Sequence, residues 1–187
     1  MDKKNILILV LGIVLFIISY VFDSQVRLLF EMIEFPILDV FLSITTNFGV
    51  IFTITLLIPS LIFYKKNKKL VYTLWLSFIA SVIFAFIIKL IFLRQRPMEA
   101  FTYPFTNIIS YSFPSGHSMA VFSLLPILIK SLPKQRYFWI IFSFLVAISR
   151  IYFSFHFLSD VMFGALFGYF IGIFLLDLYE KGKLWKI

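Results

Sequence analysis

Six apolar runs, each about long enough to cross a bilayer, limit what this chain can fold into. A spanning helix needs about 20 mostly apolar residues. Such runs occupy 5–22, 38–63, 70–93, 115–131, 137–155 and 159–179. They are continuous rather than alternating, which excludes a membrane β-barrel. Of the 187 residues, 61% are hydrophobic and 14% charged, against roughly 45–50% and about 25% in soluble domains. A soluble domain of this size cannot hide so much apolar surface, and a chain so rich in Ile, Leu and Phe does not stay disordered. The expectation is therefore all-α: a polytopic membrane protein, one domain over 1–187, built as a six-transmembrane-helix bundle. The second run is interrupted by Thr45, Thr46, Asn47 and Gly49, and Pro59 is expected to kink it. Residues 1–22 carry Lys3 and Lys4 ahead of their apolar stretch. That stretch is too long for a signal peptide and no small-residue cleavage site follows, so it reads as an uncleaved first span.

The basic residues orient the bundle. Of 17 Lys and Arg, those at Lys3, Lys4, Lys65, Lys66, Lys68, Lys69, Lys130, Lys134, Arg136, Lys181, Lys183 and Lys186 fall on one side. Only Arg27, Lys89, Arg94, Arg96 and Arg150 fall on or toward the other. The positive-inside rule then assigns both termini and the loops at 64–69 and 130–136 to the cytoplasm. The net charge of +8 is a topology signal, not a nucleic-acid footprint. No cysteine occurs, so disulfides, thiolate metal sites and cysteine nucleophiles are excluded. Gln25 to Phe35 has apolar residues at helical spacing and reads equally as an interfacial helix or an ordinary loop. Gly164, Gly168 and Gly172 recur every four residues along one face of the last run, a spacing that lets helices pack closely.

Ionisable groups at membrane depth are costly and are functional candidates by default. Lys89 lies inside the third run, and Arg96 follows seven residues later, on the same face of a continued helix. Pro97 then stops it. Arg94 is off that face and reads as an interface anchor. Pro114, Ser115, Gly116 and His117 open the fourth run. Ser115 fits an N-cap, Gly116 permits close approach to the backbone, and a helix N-terminus suits an anion. Ser149 and Arg150 end the fifth run, with His156 and Asp160 at the turn into the sixth. Four residues apart, Asp160 can reach the His156 imidazole and fix its tautomer. Each feature alone has a bland structural explanation. Together they gather three cations, two histidines, a carboxylate and a helix N-terminus, a set shaped to hold a phosphate. His156 is placed as the oriented nucleophile and His117 as the acid. No cluster of carboxylates accompanies them, so no metal or other cofactor is expected.

These residues resemble the signature of the type 2 phosphatidic acid phosphatase family, which shares its site with vanadium haloperoxidases. The family's Lys-x6-Arg-Pro motif stands as Lys89 to Arg96-Pro97, and its Pro-Ser-Gly-His as Pro114 to His117. Its Ser-Arg-x5-His-x3-Asp stands as Ser149-Arg150, His156 and Asp160. The likeness covers roughly 40–180. It implies a six-helix membrane bundle with its site at the extracytoplasmic face. It implies that His156 attacks phosphorus to give a phosphohistidine, that Asp160 orients His156, and that His117 protonates the leaving oxygen and then helps water attack. Lys89, Arg96, Arg150 and the backbone around Ser115 and Gly116 would bind the phosphate.

The partners expected on this basis are the bilayer and a lipid phosphate or diphosphate, either an isoprenyl diphosphate such as undecaprenyl diphosphate or a glycerolipid such as phosphatidate or phosphatidylglycerophosphate. Specificity would lie in the 94–114 loop, where Glu99 slightly disfavours a second negative group, and in an aromatic-rich lipid-facing groove. The competing class is a non-catalytic lipid-phosphate binder or an anion transporter using the same charges. Intact histidines at both positions, and spans with little polar character below Lys89, disfavour it.

Overall fold

The structure, a computed structural model, describes residues 3–33, 35–97 and 111–184. Every described element is helical: α1 Lys3–Val21, α2 Asp23–Glu31, α3 Pro36–Thr46, α4 Phe48–Phe52, α5 Ile58–Tyr64, α6 Lys68–Phe92, α7 Gly116–Ser131, α8 Arg136–Tyr152 and α9 Leu158–Glu180. All six apolar runs become helix. By length and composition, α6 and α9 can each cross a membrane alone. Two bent pairs raise that number to four, whereas α7, at 16 residues, is a shorter apolar helix. Most large side chains of α1 are exposed and apolar, as expected for a helix whose surroundings are lipid rather than water.

Both bends have a local cause. The second apolar run turns by 54° at Asn47, not at Pro59. Asn47 is extended (φ −63°, ψ 124°), and its Oδ1 accepts the N–H groups of Gly49 and Val50. One helix therefore ends and the next is capped at the same residue. Pro59 falls in the first turn of α5, directly after a π-helical turn at Thr53–Leu57, where the missing proline N–H is absorbed by widened hydrogen bonding. The first run turns by 67° between α1 and α2. The Gln25–Phe35 segment is thus helical through Glu31, with Val26 and Phe30 packed on the core.

Helix α7 is the centre of the bundle, buried from Ser118 to Leu128. Its most extensive partner is α9, and the glycine stripe explains how the two fit. A Cβ on Gly164 would stand 2.6 Å from the Ser115 carbonyl oxygen, one on Gly168 2.3 Å from that of Met119, and one on Gly172 2.1 Å from that of Ser123. No side chain fits at any of the three. The stripe is filled by α7 of the same chain.

Charge divides the two ends. Near one end Lys130 pairs with Glu180 at 2.8 Å and Asn67 donates to the Tyr179 hydroxyl at 2.7 Å. Lys65, Lys66, Lys68 and Lys69 flank Asn67 there. The C-terminus of α6, the N-terminus of α7, the C-terminus of α8 and the N-terminus of α9 meet at the other end.

Candidate active site

Each site residue is delivered by a helix end. Helix α6 stops at Phe92 because Leu93 turns left-handed (φ 47°), with its N–H bonded to the Lys89 carbonyl. Lys89 and Arg96 therefore do not share a helix face as the heptad spacing suggests, since the helix ends before Arg96. They still converge. Lys89 is buried and its ammonium donates to the carbonyl oxygens of Tyr111 and Ser112. Arg96 reaches across to the Phe155 carbonyl at 3.1 Å.

Ser115 caps α7. It is fully buried, its Oγ accepts the Ser118 N–H, and its own N–H donates to the Asp160 carbonyl at 3.0 Å. Because Ser115 spends its amide on Asp160, the helix-start donors are those of Gly116 and His117. A Cβ on Gly116 would meet nothing nearer than Ala85 at 3.9 Å, so protein packing is not what requires glycine there. The His117 ring stands edge-on to Phe48, with centroids 5.6 Å apart. Arg150, Arg96 and Lys89 all lie close enough for their charges to act on it.

Helix α8 ends in a turn that folds His156 back beneath Arg150. The Arg150 carbonyl accepts the N–H groups of both Phe155 and His156 at 3.1 Å, and Ser154 supplies the left-handed residue (φ 51°) that allows it. Arg150 donates to the Thr46 hydroxyl at 2.7 Å and lies over the Phe155 ring. His156 is buried. Burial first, then the charges of Arg150, Lys89 and Arg96, holds its imidazole well below the ordinary histidine range, while a main-chain hydrogen bond with Ser112 pulls the other way. A neutral imidazole among cations retains the lone pair that nucleophilic attack needs.

Asp160 is fully buried at the start of α9, where its Oδ2 accepts the Phe157 N–H at 2.9 Å. That oxygen stands 3.7 Å from His156 Nδ1, an ion-pair distance rather than a hydrogen bond. The Ser112 hydroxyl also donates to Oδ2. The other oxygen, Oδ1, accepts from Arg94 at 2.7 Å. Arg94 is no interface anchor. Its second terminal nitrogen binds Asp23 Oδ2 at 2.7 Å, and it also bonds the Ser159 hydroxyl and lies over the Phe157 ring, 4.1 Å from its centroid. Asp23, 136 residues before Ser159, caps α9 in turn by accepting the Ser159 N–H at 2.8 Å and its hydroxyl at 2.6 Å.

The eight residues singled out by sequence thus collect at one end of the bundle. Those that sequence reasoning missed are Ser112, Arg94 and Asp23, and an acid directly after the first apolar run was the signal available for Asp23. Among the described residues no three His, Asp or Glu side chains gather as a metal-holding group. Glu99 and most of the 94–114 loop lie outside the described residues.

The profile of the PAP2 superfamily matches residues 70–183, which hold all eight. Over 133 residues the chain is 30% identical to an undecaprenyl-diphosphatase of Sulfolobus acidocaldarius, covering 68% of this chain and 64% of that protein. It is 35% identical over 104 residues to phosphatidylglycerophosphatase B of Bacillus subtilis, covering half of each chain. A third relative, the bacitracin transport permease protein BcrC of Bacillus licheniformis, is 29% identical over 134 residues, 62% of this chain and 65% of that one. The chain therefore spans less than two-thirds of the length of each of these relatives. Among solved structures, the PAP2-type phosphatidylglycerolphosphate phosphatase of Bacillus subtilis superposes with a TM-score of 0.74 at 22% identity, over 99% of this chain and 100% of that one. LpxE of Aquifex aeolicus superposes with a TM-score of 0.67 at 25% identity, over 83% and 94%.

Proposed function

The chain belongs to the PAP2 superfamily, and we propose that it is an integral-membrane lipid phosphatase working through a phosphohistidine. What carries the reading is the buried, neutral His156 set among Arg150, Lys89 and Arg96, beside His117 at the start of α7. His156 Nε2 attacks phosphorus as the bond to the lipid oxygen breaks, and His117 gives that oxygen its proton. Deprotonated His117 then takes a proton from water, whose oxygen attacks phosphorus. The P–N bond breaks, phosphate leaves, and His156 returns neutral. Lys89, Arg96, Arg150 and the amides of Gly116 and His117 offset the charge on the phosphoryl oxygens in both steps. Asp160 orients His156.

In this reading all six apolar segments cross the bilayer, both termini are cytoplasmic, and the site opens at the extracytoplasmic face of the cell membrane. The support is the excess of Lys and Arg at the end of the bundle away from the site. The substrate is an isoprenyl diphosphate or a glycerolipid phosphate. The test is phosphate release by purified protein in detergent from undecaprenyl diphosphate, phosphatidate and phosphatidylglycerophosphate. Turnover of any one supports the reading and ranks the substrates. Tight binding without release from any of them favours a non-catalytic lipid-phosphate binder.

A further inference from the structure

The acid that should orient the nucleophile does not touch it. His156 Nδ1 and Asp160 Oδ2 are 3.7 Å apart, and the Ser112 hydroxyl stands by both. Its Oγ donates to Asp160 Oδ2 and lies 3.4 Å from His156 Nδ1. All three side chains are buried. A hydroxyl has one proton to give. Once that proton goes to the carboxylate, Oγ can only accept from the ring, so Nδ1 must carry the hydrogen. The opposite nitrogen, Nε2, is then left with its lone pair, the form in which a histidine attacks phosphorus.

We propose that Ser112 is the positioning residue that links Asp160 to His156, fixing the ring tautomer and passing the carboxylate's charge to it. The serine is held for this. Its N–H donates to the Arg94 carbonyl at 2.7 Å and its own carbonyl accepts from Lys89, so α6 and the segment just past its end clamp it from both sides. Asp160 is held as firmly, by Arg94 on one oxygen and by the Phe157 N–H on the other. Closing the gap directly would pull Asp160 away from those partners. When Nε2 bonds to phosphorus the ring becomes cationic while Nδ1 keeps its hydrogen. The hydroxyl and the carboxylate behind it stabilise that cation, so the link acts on turnover more than on substrate binding.

This assignment rests on the phosphohistidine reading, and its test separates the two. Phosphate release is measured for wild-type protein, Ser112→Ala, Ser112→Thr, Asp160→Asn and the Ser112→Ala/Asp160→Asn double variant, each checked for monodispersity in detergent. Ser112→Ala removes the hydroxyl and leaves the main-chain bonds of residue 112 to Arg94, Lys89 and the His156 ring. It is expected to lower kcat on the order of 10–100-fold, by analogy with loss of the outer hydrogen-bond partner of a metal-bound histidine, with KM within a few-fold of wild type. Ser112→Thr, which keeps a hydroxyl, is expected to recover most of that loss. The double variant is expected to be no slower than the slower single one, because both changes cut the same link. If Ser112→Ala is not monodisperse, Ser112→Cys, similar in volume but a weak donor, carries the same expectation. Unchanged kcat in the Ala or Cys variant, or losses that multiply in the double variant, would overturn the link and leave the phosphatase reading standing. A wild-type protein that releases no phosphate would remove that reading and this one with it.

Discussion

Arg94 holds Asp160 at 2.7 Å through one terminal nitrogen while the other grips Asp23 from the far end of the first apolar run. One guanidinium thus serves two buried carboxylates, and removing it takes the counter-charge from both. Breaking a buried ion pair from one side typically costs about 3–5 kcal/mol. Arg94 is 25% exposed, which lowers the expected loss for Arg94→Ala to about 2–3 kcal/mol. Thermal unfolding in detergent should show a clear drop in Tm, together with reduced turnover as Asp160 loses its anchor. A Tm unchanged from wild type would mean that water replaces the guanidinium without penalty.

His156→Ala should remove turnover by several orders of magnitude, the usual result of deleting a nucleophile. The turn that carries it is held by main-chain bonds to Arg150, which the substitution leaves in place, so yield and monodispersity should stay close to wild type. Appreciable phosphate release by the well-folded variant would contradict the mechanism.

The pH profile follows from the same residue. In the proposed mechanism neutral His156 is the competent form, and activity is expected to be lost as pH falls through its pKa. Burial and the neighbouring cations hold that pKa well below the ordinary value. The nucleophile therefore stays neutral into more acidic solution than a free histidine would. The acid limb of kcat/KM, which reports the free enzyme, is expected below about pH 6.5. A limb at or above that value would place a counter-charge beside the ring that outweighs the cations.

Phosphoryl transfer needs the charge on the phosphate offset, and in the proposed mechanism Lys89, Arg96 and Arg150 supply up to three positive charges for it. Asp160 is occupied by Arg94, Ser112 and the Phe157 N–H. Activity is expected to persist in excess EDTA, and vanadate is expected to inhibit competitively by mimicking the five-coordinate phosphorus at His156. Complete loss in EDTA, restored by a divalent ion, would show that the basic residues have been given the wrong role.

The chain lacks cysteine, so single introduced thiols report orientation cleanly. Met32, 83% exposed just past α2, lies toward the site end. Lys134, exposed between α7 and α8, lies at the other. Met32→Cys in intact cells is expected to react with an impermeant thiol reagent, and Lys134→Cys only after lysis. The reverse pattern would turn the site toward the cytoplasm.

Much of this architecture was legible beforehand because its signals are local. Unbroken apolar runs dictate helices wherever backbone groups cannot reach water. The Thr45-Thr46-Asn47-Gly49 interruption marked the break in the second run, though proline drew attention to the wrong residue, because a π-helical turn can absorb Pro59 while Asn47 ends one helix and caps the next. That the eight candidate residues gather at one end was legible because motif spacing ties each to the end of an apolar run. What stayed hidden depends on distant chain segments meeting. Arg94 and Asp23 are 71 residues apart, and no periodicity relates them. Ser112 is one serine among many until the fold sets it beside Asp160 and His156.

The bare seam between α7 and α9 works as a ruler. With three glycines of one helix pressed against three carbonyl oxygens of the other, neither backbone can advance toward its neighbour. The offset between the two helix starts is fixed by main-chain atoms rather than by rotamers. His117 lies in the first turn of one of those helices and His156 just ahead of the cap residue of the other. In the proposed mechanism, the span between the attacking and the proton-donating histidine is therefore measured out along a contact that reaches Gly172, about four helical turns down α9. Damage deep in the bundle would be read at its mouth as a change in rate.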